Sequence, residues 1–308
     1  MLIPKPIAPG DTLGVIAPSG PFKQGSLAPA LEHLRVRGYT VREGASLYER
    51  ERYLAGTDDL RARDLNAMFD DSDIRGIFVA RGGYGSARLL DQVDFENVRA
   101  NPKVLVGFSD TTALQLALLS QAQLATWTGV TLGDFKSTPD GPAIDPVTGD
   151  SLWQAVERGV CDPFQGLRFL NHPAGVSGPM IGGCLSLVAS LVGTPWMPDL
   201  TGAILFLEDV KEPPYRLDRM LNQLKQAGVF KSVAGVVFGS FEGCDGDRAS
   251  EGTVDDVLKD LAVRLECPVV DGLPYGHGTG RRVLPVGQKA TLTSQGELHV
   301  EAKEQENA

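Results

Sequence analysis

Residues 104–119 read Val-Leu-Val-Gly-Phe-Ser-Asp-Thr-Thr-Ala-Leu-Gln-Leu-Ala-Leu-Leu. Val104 to Phe108 is a short apolar run that suits a buried strand, and Thr111 to Leu119 suits a helix. Only Ser109 and Asp110 separate them, so strand passes into helix through a sharp turn. Similar units flank this one. Upstream, Leu13 to Ala17 (LGVIA) reads as a strand ended by Pro18-Ser-Gly-Pro21. Leu27, Ala30, Leu31 and Leu34 recur at helical spacing until Gly38, Tyr39 to Val41 restarts a strand, and Asp58 to Phe69 reads as a helix. Gly76 to Ala80 (GIFVA) is a strand followed by Arg81-Gly-Gly-Tyr-Gly85, and downstream Leu124 to Trp127 suits the next strand. Strands alternating with helices imply an α/β fold with a parallel sheet and right-handed crossovers. Ligands on such sheets sit beyond the carboxyl ends of the strands. That rule points to Pro18-Ser19-Gly20, Arg81 to Gly85, and Ser109-Asp110.

The chain has 308 residues, near the length at which one core gives way to two. Residues 133–178 change character, being rich in Pro, Gly and Asp, and read as an interdomain connection with one short helix around Trp153 to Val156. The expected division is an N-terminal α/β domain over 1–135, a linker over 136–177, and a C-terminal domain over 178–308. In the last, Leu185 to Val192, Leu217 to Leu224 and Val254 to Leu265 read as helices, and Ala203 to Leu207 and Val233 to Phe238 as strands. Strands and turns fill the chain from Val269, which makes this a mixed α/β domain with antiparallel strands. The tail from Glu301 is expected to fray.

Composition excludes several classes. A net charge of −10 repels phosphate backbones, so nucleic acid is not an expected partner. Cys161, Cys184, Cys244 and Cys267 are far apart, with no C-x-x-C pair, and read as reduced thiols rather than a zinc site. No metal and no cofactor is expected. Pro4, Pro6 and Pro9 interrupt any apolar signal region, and no window approaches a membrane span. A cytoplasmic location is expected.

Four segments hold residues suited to chemistry. At its sharp turn Ser109 would project its hydroxyl into the cleft, and the Asp110 amide would point the same way at a helix N-terminus, as half of an oxyanion hole. The competing reading is a plain helix N-cap, and the second Gly of G-x-S-x-G is missing. Glycines in Arg81 to Gly85 expose backbone amides, so Gly83 could supply the other donor; a tight βα turn is the alternative. Of the four histidines, His33 falls in a helix, His172 in the linker and His299 in the terminal strand. Only His277 sits in a Gly-flanked loop, where a base has the freedom it needs. Glu208, at the end of an apolar strand, could orient that imidazole. By spacing alone Asp209 and Glu212 compete with it.

Seven stretches, in order across nearly the whole chain, resemble the LD-carboxypeptidase family of serine peptidases: IAPSGP at 16–21, RYLAGTDDLRARDLNAMF at 52–69, ARGGYGSARLL at 80–90, VGFSDTTAL at 106–114, IGGCLSLVASLVGTP at 181–195, LFLEDVKEPPYRLDRMLNQL at 205–224 and GLPYGHG at 272–278. The resemblance implies Ser109 as nucleophile, Glu208 and His277 as its triad partners, and the Gly83 and Asp110 amides as the oxyanion hole. It implies a flavodoxin-like parallel sheet in the N-terminal domain, and a cytoplasmic homodimer that uses no metal and acts on a small peptide, the tetrapeptide stem of recycled peptidoglycan. Arg81, beside the glycine loop, is the expected receiver of the substrate's terminal carboxylate. One departure stands out: the family's Gly-Gly-Asn reads Gly182-Gly183-Cys184 here, which bears on substrate fit more than on the chemistry. Two other readings share the scaffold. One is a self-immunity peptidase cleaving a peptide–nucleotide conjugate; the other is a non-catalytic binder of small molecules.

Overall fold

A computed structural model describes residues 1–301 apart from 24, 140 and 246–251. The expectation for the tail therefore falls, past Glu301, outside the described residues. The first half runs β1 (Thr12–Ile16), α1 (Ala28–Val36), β2 (Thr40–Glu43), α2 (Asp58–Asp70), β3 (Ile74–Val79), α3 (Phe95–Ala100), β4 (Val104–Gly107), α4 (Thr112–Ala122) and β5 (Thr126–Thr128). The strands pair in parallel in the order β5-β4-β3-β1-β2. All of β4 and nearly all of β3 and β1 is buried. Helices cover both faces of such a sheet, which is why its strands are apolar without alternation.

The Pro- and Gly-rich stretch packs on this half as far as its helix, and its last strand joins the sheet of the second half. It forms a hairpin, β6 (Lys136–Thr138) with β7 (Gly141–Ala143), then α5 (Pro146–Arg158) and the short β8 (Arg168–Phe169). Helix α5 is much longer than the short helix expected around Trp153 to Val156. Pro146 at its start and Gly159 just past its last residue mark the ends of a helix rather than a loop. Asp145 caps Thr148, Pro146 occupies the first turn, where its missing N–H costs nothing, and Gly159 closes the helix at φ 68°. Trp153 docks the helix against the first sheet, stacked 6.1 Å from Tyr39 with the Arg37 guanidinium 4.1 Å above its ring.

The second half comprises β9 (Val176–Cys184), α6 (Leu185–Leu191), β10 (Ile204–Val210), α7 (Pro214–Gln226), α8 (Val229–Ser232), β11 (Gly235–Glu242), α9 (Val254–Ala262), β12 (Val269–Asp271), β13 (Leu284–Val286), β14 (Lys289–Leu292) and β15 (Leu298–Val300). Strands β9, β10, β11 and β12 are parallel; β14 and β15 on one side and β8 on the other are antiparallel. The mixed α/β character expected of this half is what the sheet has. Strand β13 returns to the first sheet, antiparallel to β5.

Helix α4 joins the halves. From Thr112 to Leu119 every residue is buried, so α4 has no solvent face. Its leucines share one apolar cluster with Met180, Ile181, Leu185 and Val188 of the second half. The turn that begins α4 is consequently held between the two sheets.

Candidate active site

The chain leaves β4 through Phe108, in extended backbone, and enters one 3-10 turn over Ser109 to Thr111 before α4. Ser109 has φ 64°, a left-handed conformation that non-glycine residues rarely adopt and that costs about 1–3 kcal/mol. It makes no side-chain cap at the helix start, so the N-cap alternative does not hold. The strained backbone turns the hydroxyl out toward the second half instead.

Asp110 holds that turn in place. Its buried carboxylate accepts Ser19 Oγ at 2.5 Å, the Ser86 amide at 2.8 Å and the Gly85 amide at 3.2 Å, while its carbonyl accepts Ser86 Oγ at 2.6 Å. The three loops beyond β1, β3 and β4 are thereby fastened to one side chain. Arg61 of α2 fastens two of them again: fully buried, its guanidinium donates to the carbonyls of Pro18 and Gly85 and pairs with Asp58. Gly82 backs the serine, and a Cβ there would lie 2.9 Å from Ser109 Cβ and 3.2 Å from the Phe108 carbonyl. Gly83, at φ 110°, follows against Gly20, whose amide donates to the Gly82 carbonyl at 3.1 Å.

Glu208 lies inside β10 rather than beyond its end, because β10 runs on to Val210. Opposite it β11 carries one extra residue: Leu207 pairs with Phe238, and Asp209 with Phe241. Such a bulge re-aims side chains and interrupts the ladder. The interruption receives the histidine loop, with the Ser240 amide donating to the Tyr275 carbonyl at 2.8 Å and the Leu273 amide to the Phe238 carbonyl at 3.1 Å. Gly239 and Gly276 permit the approach: a Cβ on Gly239 would sit 2.3 Å from the Tyr275 carbonyl oxygen, and one on Gly276 2.1 Å from Ser240 Oγ.

His277 then stands between the halves. Its Nδ1 is 2.8 Å from Glu208 Oε2 and its Nε2 is 3.0 Å from Ser109 Oγ, across 168 residues of sequence. Asp209 does not compete, since its oxygens accept the amides of Ser186 and Val210 at 2.8 Å each. Glu212 pairs with Arg216. Glu208 is fully buried, and loss of hydration pushes its pKa above the usual carboxylate range, with the bond from His277 opposing the rise.

Further residues support the histidine. The Phe108 ring lies 4.6 Å from the imidazole. Tyr275, fully buried between Phe108 and Phe206, meets Thr128 Oγ1 at 2.9 Å, and burial raises its phenol well above the ordinary value. Arg281 donates to the carbonyls of Gly129 at 2.6 Å and Gly278 at 3.2 Å, pairs with Asp134, and lies 5.0 Å over the Phe108 ring. Cys184 is the register partner of Glu208; its amide donates to Thr112 Oγ1 at 3.1 Å and its thiol lies 3.5 Å from Asp209 Oδ1.

Ser109, Glu208 and His277 are thus brought together, with Gly83 and Asp110 beside the serine. Arg81 is not part of the bonded group; exposed at the mouth, it donates to the Pro21 carbonyl at 2.7 Å. Sequence reasoning missed Arg61, Ser86, Tyr275 and Arg281, placed Ser19 in a site loop without a role, and gave Asp110 only an amide. For Arg61 a signal existed: it stands four residues before Leu65 and eight before Phe69, on the apolar stripe of α2, where a charge has to be satisfied internally. Among the described residues no cluster of three or more His, Cys, Asp or Glu side chains is placed to hold a metal ion, and no helix is long and apolar enough to cross a membrane.

A serine, a histidine and a buried carboxylate in line across two α/β halves is the arrangement of a hydrolase of the serine-peptidase class. Residues 13–129 match the N-terminal domain of LD-carboxypeptidases and residues 177–292 their C-terminal domain. The chain belongs to the LD-carboxypeptidase family. It is 35% identical to a probable murein peptide carboxypeptidase of Bacillus subtilis, over 94% of this chain and 91% of that one. Among solved structures it resembles the muramoyltetrapeptide carboxypeptidase of Oxalobacter formigenes, with TM-score 0.84, 31% identity, and coverage of 94% and 98% of the two chains. It also resembles the microcin C7 self-immunity protein MccF in complex with aspartyl sulfamoyl adenosine, with TM-score 0.87, 26% identity, and coverage of 97% and 98%.

Proposed function

We propose that the protein is a serine LD-carboxypeptidase that releases terminal D-alanine from murein tetrapeptides, with Ser109 as nucleophile, His277 as base and Glu208 as the carboxylate that orients it. The observation that carries this is the unbroken relay from Glu208 Oε2 through His277 to Ser109 Oγ, at 2.8 and 3.0 Å. The substrate class comes from the names of the murein peptide relatives. With Nδ1 protonated and donating to Glu208, His277 Nε2 is free to take the serine proton as Oγ attacks the carbonyl joining an L-centre to D-alanine. The amides of Gly83 and Asp110 receive the oxyanion, each worth about 3–4 kcal/mol in comparable sites. Buried Glu208 stabilises the imidazolium, His277 protonates the departing amine, and water releases the acyl group from Ser109. Arg81 supplies positive charge for substrate carboxylates at the mouth. On this reading the enzyme serves peptidoglycan recycling as a cytoplasmic homodimer.

Release of free D-alanine from a defined tetrapeptide tests the assignment. Ser109→Ala is expected to lower it about 10³-fold or more; a near-normal rate overturns the reading. A chelator is expected to leave the rate unchanged. The likeness to MccF favours a second substrate, a peptide–nucleotide conjugate cleaved by the same residues, and turnover of such a conjugate in preference to the tetrapeptide would select it.

A further inference from the structure

A groove of about 530 Å³ opens beside Gly83, between Gly20, Arg50, Tyr53, Arg81 and Tyr84. It borders the glycine loop, where Gly83 follows the glycine that backs Ser109. Its floor is held rigid: the Ala55 amide donates to the Ser19 carbonyl at 3.0 Å and the Gly20 amide to the Gly82 carbonyl at 3.1 Å, tying the Tyr53 loop and the glycine loop to one another. Tyr53 and Tyr84 are 53% and 51% exposed, and their rings meet edge to face at 5.7 Å. The Arg52 guanidinium lies 5.3 Å over the Tyr53 ring, and the aromatic surface that the pair still leaves in water beside the cleft is an apolar wall. Among the described residues neither Arg50 nor Arg81 makes an ion pair, in a chain with 39 acidic residues against 29 basic ones. The one bond of Arg81 to the Pro21 carbonyl leaves most of its donor fork available.

We infer that this groove is a substrate subsite for a carboxylate-bearing stretch of peptide, with Arg50 and Arg81 holding carboxylates and the tyrosine pair covering the aliphatic backbone between them. The inference rests on the reading of the site as a peptidase of acidic stem peptides and names how it tells them from neutral ones. Guanidinium groups hold carboxylates by paired, charge-assisted bonds, and a groove already rigid loses little entropy on binding.

Binding to Ser109→Ala protein, measured by calorimetry, separates this from the chemistry. Three probes are compared: the tetrapeptide, its C-terminal amide, and the tetrapeptide with its stem carboxylates amidated. Adding Arg50→Gln to Ser109→Ala is expected to weaken tetrapeptide binding about tenfold, as loss of one such contact does, and to have no effect on whichever amidated probe lacks the carboxylate that Arg50 holds. That probe identifies the source as the terminal or the stem carboxylate. In otherwise wild-type enzyme Arg50→Gln raises KM and leaves kcat. Equal binding by the two proteins, equal weakening on all three probes, or no binding at all overturns the subsite. Tight, Arg50-dependent binding without D-alanine release from wild-type enzyme keeps the subsite and overturns the functional reading instead.

Discussion

The carboxylate of Asp110 accepts the hydroxyl of Ser19 at 2.5 Å, joining residues 91 apart in sequence. Together with the Gly85 and Ser86 amides this makes a three-donor anchor beside Ser109. Asp110→Asn replaces one acceptor oxygen by a donor and sets it against a buried N–H or O–H, a loss of about 1–3 kcal/mol. The variant is expected to melt several degrees lower, and its kcat to fall further than its KM rises, because the serine turn and its amide shift. Ser19→Ala removes one donor only and is expected to show a smaller loss of both. Equal activity of Asp110→Asn and wild-type protein would remove the anchor from the catalytic account. Thermal melts and steady-state kinetics of the pair decide it.

Gly82→Ala probes the same geometry from behind. Its Cβ meets Ser109 Cβ at 2.9 Å, closer than such atoms approach, so the serine turn has to move. A displacement of about 1 Å at a reacting group costs on the order of 10²-fold in rate. Turnover is expected to drop by about that factor with KM little changed; a drop in affinity alone contradicts the placement.

Burial of Glu208 penalises its charged form and raises its pKa in the folded protein above the unfolded value. For an acid shifted that way, the contribution to stability is fully present below the unfolded pKa and is lost as pH rises through the folded one. Glu208→Gln is therefore expected to lose activity while melting at or above the wild-type temperature at neutral pH. That advantage shrinks as pH falls through the Glu208 pKa, where wild-type protein is protonated too. Melting curves across pH test the sign, and a variant less stable at neutral pH than at acid pH, relative to wild type, refutes it.

The four thiols are reluctant nucleophiles. Burial raises Cys161 to about 12 and Cys244 to about 11, lifts Cys184 well above the ordinary thiol and raises Cys267. Thiolate, not thiol, reacts with alkylating agents. Iodoacetamide at neutral pH is expected to leave D-alanine release intact over a time that inactivates a thiol enzyme. Loss of activity in step with labelling of Cys184, followed by mass spectrometry, would show that this residue takes part.

Elements set by local pattern were readable in the chain. The apolar runs at Leu13, Gly76 and Val104 are parallel strands because their side chains are buried on both faces, and Ser109 stands out because strand meets helix with almost nothing between. His277 stands out among four histidines by its flanking glycines. Helix α5 was underestimated because a proline at its first turn and a glycine at its end look like loop residues until the cap geometry is seen.

The sequence by itself determined the α/β alternation, the loops that gather at the strand ends, and Ser109 and His277 as candidates, since each depends on neighbours within a few residues. Local spacing left Glu208 and Asp209 level and the family resemblance favoured Glu208; the tertiary structure supplies the geometry that separates them. Alternation along β10 sends Glu208 to the imidazole and Asp209 to the start of α6, and the one-residue bulge in β11 makes room for the histidine loop. Only the tertiary structure decided that Arg61 and Asp110 hold the loops, because burial and bonds across 24 to 91 residues are made by chain folding back on itself, which no local pattern contains.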